Sequence, residues 1–176
     1  MQSPIRLALA LVLLSVVTAC KQDVKPTSGP EGTTPPPVAP TQPQDTSPDP
    51  RDWTDPRNLD NPASLLSKRV IYFDFDKSDI RPEFRDIVTA HATYLAARSS
   101  AKVTLEGHAD ERGSREYNLG LGERRGNSVG SALGAQRAPR DHVDVVSYGE
   151  ERPVCRNSEE NCWEKNRRVE IVYISR

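Results

Sequence analysis

The sequence predicts an α/β (α+β) fold: a two-layer sandwich of order βαβαββ, with helices on one face of a mixed four-stranded sheet, preceded by a disordered Pro-rich linker. Three observations lead there. Eleven of the fifteen prolines lie between Pro26 and Pro62, so regular periodicity can begin only beyond them. After residue 65, short runs rich in branched and aromatic residues alternate with longer stretches of helical period. The about 110 residues that carry this pattern are enough to enclose a core of their own.

Residues 69–76, RVIYFDFD, alternate as a strand. Pro82 suits the first turn of a helix, and Phe84, Ile87, His91, Tyr94 and Leu95 recur at helical spacing up to about residue 98. Residues 102–108 form a second strand with Val103 and Leu105 on one side. Ser114 can cap a second helix running to about Ala135, with Leu121, Val129 and Leu133 turned inward. Residues 143–148 and 168–174 supply the last two strands, the final one alternating as Val169, Ile171 and Tyr173. Cys155 and Cys162 lie in the loop before it, and in an oxidising compartment a pair favours a disulfide. A ring of about eight residues stabilises by ~2.5 kcal/mol on the chain-entropy estimate. Half a metal site would need a second cysteine pair, and His91, His108 and His142 lie on other elements, so no metal and no cofactor is expected.

Ahead of this module, residues 1–19 read as a signal peptide: Arg6, then an apolar run over 7–17 that is too short to span a bilayer. The run closes on Val17-Thr18-Ala19-Cys20, which resembles the lipobox of bacterial lipoproteins, so Cys20 is the expected lipidation site; the alternative is an ordinary cut near Ala19 beside an incidental cysteine. Several acyl chains at ~0.8 kcal/mol per CH₂ would hold firmly to a bilayer. Lys21 rather than aspartate after Cys20 resembles the outer-membrane signal of enteric lipoproteins. Residues 20–64 then read as a tether that could reach on the order of 140 Å as polyproline II. No repeated P-x-x-P register with basic flanks marks it as a ligand for an aromatic groove. With 24 basic and 25 acidic residues the net charge is −1, which gives no field toward polyanions. Nucleic acid is therefore not an expected partner.

Arg125 falls on the inward stripe of the second helix, four residues after Leu121 and four before Val129. An unpaired guanidinium there would cost several kcal/mol, so a carboxylate of the protein or an anionic ligand should meet it. Asp110, at the end of the second strand, is placed to flank the same pocket. The two could present opposite charges to a zwitterion or form a structural salt bridge.

The strings Tyr72-Phe73-Asp74-Phe75-Asp76-Lys77-Ser78, Glu106-Gly107-His108-Ala109-Asp110, Leu121-Gly122-Glu123-Arg124-Arg125, Ser147-Tyr148-Gly149-Glu150-Glu151-Arg152-Pro153 and Asn166-Arg167-Arg168-Val169-Glu170 resemble, in order and spacing, the motifs of the OmpA-like peptidoglycan-binding domain family. Gly122, the S-Y-G-E-E string and the lipobox resemble its peptidoglycan-associated lipoprotein (Pal) branch. The resemblance implies a non-enzymatic domain in which Asp110 takes the ammonium and Arg125 the carboxylate of diaminopimelate in the peptidoglycan stem peptide. Phe75, Asp76, Lys77, Asn118 and Arg167 match positions that line or support the groove. It further implies an outer-membrane location facing the periplasm, and TolB and the Tol-Pal complex as partners in envelope integrity and cell division. An anchor for another envelope machine is the alternative. Gly126 stands where relatives usually have alanine, and the cysteine pair is not general in the family. A hydrolase reading rests only on Gly126-Asn127-Ser128-Val129-Gly130, a G-x-S-x-G string predicted inside a helix rather than at a strand–helix turn.

Overall fold

The computed structural model describes residues 47–176, so the expected signal peptide, Cys20 and the first part of the expected tether lie outside the described residues. The elements are β1 (Val70–Tyr72), α1 (Arg85–Ala97), β2 (Lys102–His108), α2 (Arg115–Ala135), β3 (Val143–Gly149), α3 (Glu160–Asn166) and β4 (Arg168–Ser175). In the sheet they are ordered β1-β4-β2-β3. β2 and β3 run parallel, joined by the α2 crossover, while β4 inserts antiparallel between β1 and β2. The predicted mixed sheet is therefore present, with its two central strands drawn from the middle and the end of the chain.

Alternation sorts the strands' side chains. Ile71, Val103, Leu105, Val169 and Ile171 share a buried face, packed with Val88, Tyr94 and Leu95 of α1 and Val129 and Leu133 of α2. Burying each large apolar side chain contributes about 1.5–3 kcal/mol. α2 meets β2 almost backbone to backbone: a Cβ on Gly107 would lie 2.0 Å from the Gly122 carbonyl oxygen, and one on Gly122 would lie 2.4 Å from Ser147 Oγ. Any larger side chain at either position would lift the helix. That contact fixes the height of α2 over the sheet, and Arg125 follows less than one turn later.

Three expectations need correction. First, the order is βαβαβαβ, because the cysteine loop contains the short helix α3. Only Cys162 and Asn166 of its seven residues are buried, too few for a helical stripe to show in sequence. The Cys155–Cys162 disulfide is formed. The Asn166 carboxamide pins the loop further, accepting from Val154 N and Cys155 N at 2.9 and 3.1 Å and donating to Cys155 O at 2.7 Å. Second, Pro82 opens a short 3₁₀ turn, Pro82–Phe84, that leads into α1 rather than α1 itself.

Third, the folded module starts before residue 65. Within the expected tether, Asp55 caps a 3₁₀ turn at Pro56–Leu59, and Ser64 caps another at Leu65–Ser67. The Asn58 amide donates to Asp49 O and Asp52 O, both at 2.7 Å. Leu59 is buried in the core and Trp53 packs against it. Composition averaged over the segment hides this, since Pro56 sits at the first position of a turn, where it fits, and two apolar side chains suffice to dock it.

Candidate ligand-binding site

β2 leaves the sheet at Ala109, whose N–H donates to Gly149 O at 2.8 Å. The chain then turns through Asp110 to Gly113, where φ is +113°, a conformation that suits glycine. Ser114 Oγ accepts from Tyr117 N at 3.2 Å and starts α2. These constraints leave Asp110 buried at the strand end. Its Oδ1 accepts from Arg112 N at 3.1 Å and Arg112 Nε at 3.2 Å, and its Oδ2 from Arg112 Nη2 at 2.7 Å and Arg167 Nη1 at 3.3 Å. Burial works to raise the Asp110 carboxyl, but the Arg112 and Arg167 hydrogen bonds and charge outweigh it and hold the group below its ordinary value.

Asp110 opens on a cavity of about 190 Å³ shared with Phe75, Asp76, Arg112, Gly113, Tyr117 and Leu121. Phe75 is exposed, and the Asp76 carboxylate accepts from the Tyr117 hydroxyl across the mouth. Asp76 adopts φ +55°, the left-handed turn that aims the 74–77 loop back at α2. A larger groove of about 900 Å³ lies between α1 and α2, but its charged lining residues, Asp79, Arg85 and Arg124, are all exposed. It therefore lacks the buried charge that marks the smaller cavity.

Arg125 is fully buried, as its place on the apolar stripe predicts. Its partners are neither a carboxylate nor an anion: Nε donates to Lys77 O at 2.9 Å, Nη1 to His108 O at 2.8 Å and Nη2 to Asp74 O at 3.0 Å. Its Cζ lies 5.3 Å from the Phe73 ring centroid. Burial pushes the guanidinium down to about 10, against the attraction of Asp110. Three of its five N–H groups thus bind the 74–77 loop and the end of β2 to α2. The alternative of a structural Asp110–Arg125 salt bridge is not realised: Asp110 pairs with Arg112 and Arg167 instead.

The other expected residues divide. Phe75 and Asp76 line the cavity. Lys77 contributes its backbone carbonyl to Arg125, while its ammonium lies 3.5 Å from Asp74. Asn118 is buried behind the loop, donating to Glu150. Arg167 is also buried, bonding Phe73 O at 3.1 Å and Glu160 at 2.6 Å besides Asp110. Sequence reasoning missed Arg112, Tyr117 and the α3 pair Glu160 and Trp163. For Arg112 only the backbone was signalled, since an aspartate side chain commonly accepts from the N–H two residues on, as it does here from Arg112 N at 3.1 Å. Ser128 of the G-x-S-x-G string lies inside α2.

Residues 72–167 match the OmpA family. The chain belongs to the OmpA family. A peptidoglycan-associated lipoprotein of Pseudomonas putida is 44% identical over 114 residues, covering 65% of this chain and 68% of that one. Among solved structures, the peptidoglycan-associated lipoprotein from Burkholderia pseudomallei superposes with TM-score 0.64 at 37% identity, covering 65% of this chain and 98% of that one. The cell wall anchor of the T6SS from Pseudomonas aeruginosa shares the fold at TM-score 0.52 and 25% identity, over 61% of this chain and 80% of that one. Asp110, Arg112, Arg125 and Arg167 of this OmpA-family chain all lie inside the matched residues.

Proposed function

We propose that the chain is an outer-membrane lipoprotein that grips peptidoglycan without covalent chemistry, through the diaminopimelate of the stem peptide. The observation that carries the reading is a buried carboxylate, Asp110, opening on an aromatic-rimmed cavity, with the fully buried Arg125 guanidinium close enough to feel its charge. In this reading Asp110 receives the ligand's ammonium, and the two N–H groups Arg125 keeps beyond its three carbonyl bonds serve the carboxylate. Each such charge-assisted bond contributes roughly 1.5–3 kcal/mol, or about ten- to a hundredfold in affinity. An acylated Cys20 would hold the outer membrane, and the proline-rich segment would span the gap to the wall. The 44% identity to a peptidoglycan-associated lipoprotein, against 25% to a secretion-system anchor, favours service in the Tol-Pal system with TolB as partner. The wall and TolB would then be alternative occupants of one face.

Co-sedimentation with purified sacculi tests the site. Asp110→Ala should lose at least tenfold in binding while keeping its circular dichroism; full binding by the folded variant would remove Asp110 from the site. Arg125→Ala should also bind less, but its three carbonyl bonds make it a structural residue as well. Urea unfolding of that variant should show a loss of about 2–4 kcal/mol.

A further inference from the structure

Asp110 has no acceptor capacity to spare. A carboxylate offers about four lone-pair sites, and four N–H groups occupy them: three from Arg112 and one from Arg167. Any cation that reaches Asp110 must therefore replace one already there. The two arginines differ in how far they are committed. Arg167 is 6% exposed and bonds Phe73 O and Glu160 as well. Arg112 is 30% exposed and lines the cavity.

Arg112 also has somewhere to go. Its Cζ lies 4.0 Å from the Phe75 ring centroid and 4.2 Å from that of Trp163, so the guanidinium is sandwiched between two aromatic faces. Its Nη1 is already 3.5 Å from Glu160 Oε2. A small shift within this seat exchanges the Asp110 bond for one to Glu160 without exposing the guanidinium to a different environment. Trp163 is itself held, donating from Nε1 to Glu111 at 2.9 Å.

Resting on the stem-peptide reading above, we infer that Arg112 is a resident competitor for the ligand's ammonium, so that binding at Asp110 is an exchange of one cation for another. The incoming ammonium takes the Oδ2 side of Asp110 while Arg112 stays between Phe75 and Trp163 and moves onto Glu160. Arg112 thereby sets the cost of entry, and the Asp110 carboxylate sets the preference for a charged amine. A neutral ligand cannot make the exchange, because displacing the guanidinium would leave the buried carboxylate short of a positive partner. The resident cation thus sets a threshold that only a charged amine passes.

Two measurements on the full-length protein in detergent decide it, with L-Ala-γ-D-Glu-meso-diaminopimelate as probe and its analogue acetylated on the free diaminopimelate amine as the neutral comparison. In calorimetric titrations Arg112→Ala should bind the free-amine peptide at least threefold more tightly than wild type, and wild type should bind the acetylated peptide at least tenfold more weakly than the free-amine one. In the wild type, the Arg112 Nε–Hε resonance should move as the peptide saturates the site. Equal or weaker binding by a folded Arg112→Ala, or an unmoved Arg112 resonance at saturation, overturns the exchange and leaves the stem-peptide reading standing. No binding of the peptide by wild type overturns both. Should Arg112→Ala not fold, the wild-type resonance alone decides.

Discussion

His91 is enclosed between the start of β1 and the last strand. Its Nε2 lies 3.0 Å from Lys68 O, which can only accept, so Nε2 carries the hydrogen and Nδ1 accepts from the Tyr173 hydroxyl at 2.8 Å. Burial pushes the imidazole down to about 4, outweighing the Lys68 bond that favours the proton. An unfolded histidine titrates near 6.5, so between pH 4 and 6.5 the unfolded chain binds more protons than the folded one. Stability is full above that window and falls as pH drops through it, by about 3 kcal/mol for this side chain. His108, lowered to about 4 by burial and by Arg168, acts with the same sign. Urea unfolding between pH 4 and 7 should therefore show a steep loss in wild type and a flatter one in His91→Gln; equal slopes would reject the assignment. The inward place of His91 was legible from helical spacing, as was that of Arg125. What met each polar group was not. The carbonyls around Arg125 come from the 74–77 loop and the end of β2, and their positions depend on the φ of Asp76 and the depth of α2, which no local pattern encodes.

At the level of elements, α2 is a helix built against its own propensity, with glycines at 120, 122, 126, 130 and 134. Each costs up to about 1 kcal/mol relative to alanine in a helix. Gly122 is required by its contact with Gly107, whereas a Cβ on Gly134 would meet nothing within 4 Å. Thermal melts should separate the two: Gly134→Ala should be stabilised by about 0.5–1 kcal/mol, and Gly122→Ala destabilised by about 2 kcal/mol or more. Equal effects would mean that packing does not distinguish them. The bounds of β2 and α2 were readable because alternation and a Ser114 cap mark them. α3 was not readable, since a disulfide and one asparagine, rather than an apolar face, hold its loop in place.

For the whole molecule, the docked stretch between Asp49 and Ser64 enlarges the domain that composition suggested. Leu59 is almost wholly buried, Arg98 donates to Thr54 O at 2.8 and 3.1 Å, and Arg69 donates to Leu59 O at 2.8 Å. Asp60 pairs with Arg176 at 2.9 Å, bringing the segment to the C-terminus. A fragment of residues 65–176 should accordingly be less stable than one of residues 47–176 by roughly 3–5 kcal/mol, mostly from the lost burial of Leu59 and Trp53. Urea midpoints would measure it, and coincident midpoints would show the segment to be an ornament.

The same segment bears on mechanics. If the chain is pulled from its N-terminal side, the bonds at Asn58, Arg98 and Arg69 meet the load one after another, before the β1 pairing does. Peeling residues 49–64 would release roughly 50 Å of slack at ~3.3 Å per residue. The strand end and helix that carry Asp110 and Arg125 would still be folded, so the grip could outlast a stretch that has already let out the line.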